Sequence, residues 1–117
     1  MRTLKKETRI KRRFKALQSI FENIETDKQI IAENLIKRAV EIEFHLDDLA
    51  QEIKENGFIE TYQNGNNQFG TKESTASKSY NSLLKNYNAI IRTLLSILPE
   101  TQRKEISDGF DEFLHRQ

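Results

Sequence analysis

The sequence predicts an all-α protein: a long antiparallel helical hairpin with a basic N-terminal helix and a short C-terminal helix, assembling into a homo-oligomer. Three observations carry this expectation. Apolar residues recur at steps of three and four along two long stretches, which sets them on one stripe of an α-helix because 3.6 residues make a turn. One proline and four glycines in 117 residues leave few interruptions to helix. The stripes are also broader than a single seam between two helices requires. The expected organisation is a basic helix over residues 1–25, a hairpin core over residues 26–99 with a loop at 57–74, and a C-terminal helix over residues 100–117.

The first helix is expected over residues 4–24. Ile10, Phe14, Leu17, Phe21 and Ile24 form its apolar stripe, and basic residues fill the other faces. Residues 1–16 hold Arg2, Lys5, Lys6, Arg9, Lys11, Arg12, Arg13 and Lys15 against Glu7 alone, a net +7. The other 101 residues carry eleven basic and seventeen acidic side chains, a net −6, so the overall +1 conceals a basic head on an acidic body. Such a head suits the phosphate backbone of nucleic acid, where each Arg or Lys displaces condensed counterions. A solvated, solubilising helix is the plainer reading, and an anionic membrane surface ranks below both.

The second helix is expected from Thr26, a candidate N-cap with Gln29 completing a capping-box pattern, to Asn56-Gly57, a helix stop. Ala32, Leu35, Ala39, Ile42, Leu46, Leu49 and Ile53 give its stripe, and Ile31, Ile36, Val40 and Phe44 widen it. Residues 57–74 read as a polar loop with three aromatics, Phe58, Tyr62 and Phe69. Asn64-Gly65 signals a tight turn, and Ile59, Thr61, Gln68 and Phe69 around it are compatible with a short β-hairpin. The amides of Gln63, Asn64, Asn66 and Asn67 have three possible partners: DNA, a neighbouring subunit or the loop's own backbone.

Ser74 or Ser77 caps the third helix, which ends at Pro99 because proline cannot continue the hydrogen-bond ladder. Tyr80, Leu83, Tyr87, Ile90, Leu94 and Ile97 form its stripe, with Leu84, Ile91, Leu95 and Leu98 beside it. The surplus residues Leu84, Ile91, Leu95, Leu98, Ile36, Val40 and Phe44 are expected to lie between copies of the chain. The alternative is a three- or four-helix monomer in which the terminal helices cover them. In the C-terminal segment Phe110, Phe113 and Leu114 are the expected docking residues for a partner, with packing on the hairpin as the plainer alternative.

Several chemistries lack their residues. There is no cysteine, so thiol and disulfide chemistry are excluded. No Walker-type loop is present. Glu41 and His45, four apart and without a second copy, fall short of a bundle metal site. The acidic run Glu41, Glu43, Asp47, Asp48, Glu52 and Glu55 rides one helix, mainly on outer faces, rather than converging as a nuclease site would. The expectation is a protein with no enzymatic activity, no metal and no cofactor. No apolar run reaches the roughly 20 residues that span a bilayer, and no apolar segment follows the basic N-terminus as in a secretory signal.

One resemblance adds to this. Residues Tyr62-Gln63-Asn64-Gly65-Asn66-Asn67-Gln68-Phe69-Gly70-Thr71-Lys72, then Tyr80-Asn81, Lys85-Asn86-Tyr87-Asn88, Leu94-Leu95 and Leu98-Pro99, resemble the small terminase subunits of tailed phages of Gram-positive bacteria. The likeness spans residues 26–100 and is specific in the loop. It implies a ring-forming subunit that binds double-stranded phage DNA and recruits and regulates the large terminase subunit, the motor and nuclease, in the host cytoplasm. Many members carry an N-terminal helix-turn-helix; this chain has one basic helix in that place. The DNA contact is therefore expected from Arg2 to Lys15, repeated around a ring.

Overall fold

The computed structural model describes residues 5–104. The elements run α1 (Lys6–Ile20), α2 (Thr26–Asn56), β1 (Ile59–Gln63), β2 (Phe69–Glu73) and α3 (Thr75–Ile97), and residues 100–104 are helical again. The chain is mostly helical, and the two-stranded sheet is its departure from an all-α description.

α1 stops at Ile20, four residues short of the expected end. Phe21 turns inward, only 6% exposed, and its N–H bonds the Gln18 carbonyl at 3.0 Å in a tightened last turn. α2 starts at Thr26, but the capping box does not form. Gln29 instead donates its side-chain amide to the Glu22 carbonyl across the α1–α2 turn, and the Lys28 N–H donates to Asp27 Oδ1 at 3.0 Å.

α2 ends where Gly57 takes φ +84°, a left-handed conformation costly to any residue with a Cβ, and gives its N–H to the Ile53 carbonyl at 2.7 Å. An antiparallel ribbon follows, with Thr61 opposite Thr71 and Tyr62 opposite Gly70. The Tyr62 ring lies over Gly70 so closely that a Cβ there would come within 2.7 Å of it. Ser74 then caps α3, its Oγ accepting the Ser77 N–H at 3.1 Å. The Ser77 hydroxyl donates to Glu73 Oε2 at 2.7 Å, which satisfies a buried polar side chain. The third helix closes at Ile97, just before Leu98-Pro99.

α2 and α3 pack along each other in opposite directions. Near the ribbon, Ala50 and Ile53 face Ser77 and Tyr80; further along, Glu43 meets Tyr87; further still, Ala32 and Ile36 share a core with Leu94 and Leu98. α1 lies along α2 from Glu33 to Asp48, leaving the ribbon end of α2 uncovered by it, and brings Ile10, Phe14 and Leu17 against that core. The result is a three-helix end and a two-helix end, in a body of 63 × 35 × 34 Å.

This arrangement corrects part of the expected interface. Ile36 and Val40 are fully buried within the single chain, and so is Leu98. The physical reason is α1, whose apolar stripe takes up the broad face of α2. Phe44, Ile91 and Leu95 also pack against this core and are partly covered. Of the seven expected residues only Leu84 remains exposed, alongside Ile30 and Ile31 on α2.

Candidate nucleic-acid interface

An α-helix with Ile10, Phe14 and Leu17 turned to the core must direct its remaining positions sideways or outward. The cations of α1 and the residue before it fall into two sets accordingly. The flanking set is engaged with α2. Lys6 Nζ lies 3.3 Å from Asp48 Oδ2. Arg13 forms a two-pronged contact with Glu43, Nε to Oε1 at 2.8 Å and Nη2 to Oε2 at 3.1 Å. The Arg9 guanidinium stands over the Phe44 ring, 5.0 Å from its centroid.

Lys5, Lys11, Arg12 and Lys15 form the outward set. All four are exposed, and none has an ion-pair partner among the described residues. Lys37 of α2 stands beside Lys11 and Lys15 at the rim of a shallow apolar cleft floored by Ile10, Phe14 and Val40, so the cationic surface continues onto the second helix. Glu41 shares that rim and moderates it. Lys37 belongs to no cluster in the sequence, and only the docking of α1 brings it into the group. Arg2 lies outside the described residues, as do Phe110, Phe113 and Leu114.

Glu43 is the exception in the acidic run. It faces inward, where it accepts from Arg13 and from the Tyr87 hydroxyl at 2.6 Å, and so joins all three helices. Burial pushes the Tyr87 hydroxyl up to about 12, and the carboxylate it donates to acts in the same direction. The hydrogen bonds to Glu43 raise Arg13 above its ordinary value, with burial opposing. Arg13 is thus committed to holding α1 in place, whereas Lys5, Lys11, Arg12 and Lys15 are free of that task.

The ribbon is the other exposed feature. Phe58, Ile59 and Phe69 are each more than 60% exposed, and Gln63 to Gln68 form an exposed amide-rich tip. Among the described residues no three His, Asp or Glu side chains group as a metal site requires, and no helix is long and apolar enough to cross a membrane. Compared with protein-family models, curated proteins and solved structures, the chain matches none.

Proposed function

We propose that this chain is a DNA-packaging adaptor of the small-terminase type: a non-catalytic homo-oligomer that binds the backbone of double-stranded phage DNA and recruits and regulates the large terminase subunit in the host cytoplasm. The observation that carries the reading is the outward cationic set Lys5, Lys11, Arg12 and Lys15, free of ion pairs among the described residues on a chain whose remainder is acidic. The resemblance in residues 62–72 supplies the packaging context. The paired helices α2 and α3 serve as the hairpin of the assembly, with Leu84, Ile30 and Ile31 and the partly covered Phe44, Ile91 and Leu95 as its contact surface. Repetition of a weak cationic face around a ring multiplies its affinity without any new contact. Phe110, Phe113 and Leu114 are the segment for the large subunit.

Binding to duplex DNA across a salt series tests this. Replacing Lys11, Arg12 and Lys15 with Ala weakens binding on every sequence and lowers the salt slope by about one unit per lost phosphate contact. Unchanged affinity and slope would remove the basis of the reading.

A second reading has one observation in its favour. Because Ile36, Val40 and Leu98 are enclosed by the chain itself, less apolar surface remains for assembly, which suits a small dimeric DNA-binding regulator. Native mass spectrometry separates the two: a closed ring supports the adaptor, a dimer the regulator.

A further inference from the structure

The amide-rich tip of the ribbon is not used by the reading above. From Thr61 to Thr71 there is no charged side chain, while Glu60, Lys72 and Glu73 stand at the ribbon's base, with Lys72 and Glu60 paired at 3.4 Å. Five carboxamides lie within the tip: Gln63, Asn64, Asn66, Asn67 and Gln68.

The turn is closed by main-chain atoms, the Asn64 N–H donating to the Gln68 carbonyl at 2.7 Å. Only Gln63 uses its side chain locally, in a long contact of 3.5 Å to the Asn66 carbonyl. The other four carboxamides make no side-chain hydrogen bond among the described residues, and all are exposed. The loop's own backbone therefore does not account for them.

A two-stranded ribbon is one of the two protein shapes that the major groove of B-DNA admits. A carboxamide carries one donor edge and one acceptor edge, the pattern that matches N6 and N7 of adenine. Phe69, 68% exposed beside these amides, offers an apolar surface to the thymine methyl of the same base pair.

The basic helix extends toward the ribbon along α2. Lys6 pairs with Asp48, so the N-terminal end of α1 points toward the ribbon and stops about two turns of α2 short of its base. Phosphate contacts from α1 position a duplex, and an uncharged tip enters its groove without repelling the backbone.

We propose that the β1–β2 ribbon reads base edges in the major groove of duplex DNA, with its Asn and Gln amides selecting adenine. This rests on the DNA-binding reading above and locates its sequence preference.

The test uses the full chain and a pool of duplexes with a randomised centre, selected through repeated binding at fixed salt. The variant replaces Asn64, Asn66 and Asn67 with Ala and keeps Gly65. No residue there other than glycine has positive φ, so alanine fits the backbone, and far-ultraviolet circular dichroism checks that helicity is retained. Wild type enriches adenine-containing sites by at least about five-fold. The variant binds the unselected pool within about two-fold of wild type, with the same salt slope, and enriches nothing. Replacing Lys11, Arg12 and Lys15 with Ala has the converse effect, lowering affinity for every duplex while the enriched sites stay the same.

Equal enrichment by wild type and the ribbon variant overturns the proposal, as does enrichment of sites without adenine. Wild type that binds the pool with no base preference overturns this proposal alone. Wild type that binds no duplex overturns both it and the DNA-binding reading. Ribbon-to-ribbon pairing between copies, the other use for an uncovered strand edge, would show as loss of assembly in the variant with base preference intact, and that too overturns the proposal.

Discussion

Glu43 links three helices through one carboxylate, accepting from Arg13 on α1 and Tyr87 on α3. The consequence for Tyr87 can be measured. Its raised pKa, about 12 against an ordinary 10.0, means that the folded chain holds the phenolic proton more tightly than the unfolded chain. The stabilisation is therefore fully present below the unfolded value and is lost as pH rises through the folded one. Urea unfolding between about pH 9 and pH 11.5 should show wild type losing stability relative to Tyr87→Phe, with a constant difference at the lower end. A difference that stays flat to the top of the range would mean that the phenol is not held as described. Charge alone does not distinguish Glu43 from Glu41, Asp47 or Asp48. Its position does: it lies seven residues after Ile36 and three after Val40, on the buried stripe of α2.

Among the elements, α1 decides what the apolar faces become. Helical periodicity in the sequence locates α2 and α3 to within a few residues, because spacing, glycine stop and proline stop all act locally. The width of an apolar face is legible in the same way, but the identity of its cover is not, since that depends on how α1 folds back through residues 21–25. Ile36 and Val40 thus look like contacts between copies and prove to be the centre of one chain. Ile36→Ala should cost about 2–5 kcal/mol in urea unfolding. The cost should not change with protein concentration, because the cavity opens inside a single chain; a concentration-dependent loss would return Ile36 to an interface. The ribbon was legible only in outline. Asn64-Gly65 marks its turn, but exposed Ile59 and Phe69 give no burial pattern to set its register. The cross-strand fit of Tyr62 over Gly70 emerges only once the strands are paired.

At the scale of the whole molecule, α2 is one continuous helix in two different surroundings. From Glu33 to Asp48 it has α1 on one side and α3 on another, whereas from Leu49 to Asn56 it has α3 and the base of the ribbon. Local opening free energies follow buried contacts, so amide hydrogen exchange should be slowest around Ile36 to Val40 and markedly faster at Gln51 to Asn56. Uniform protection along α2 would contradict the two-zone description. The molecule is built like a rod with a broad grip and a narrow tip. A load on the tip is carried by two helices alone, whereas the cationic side is braced by three.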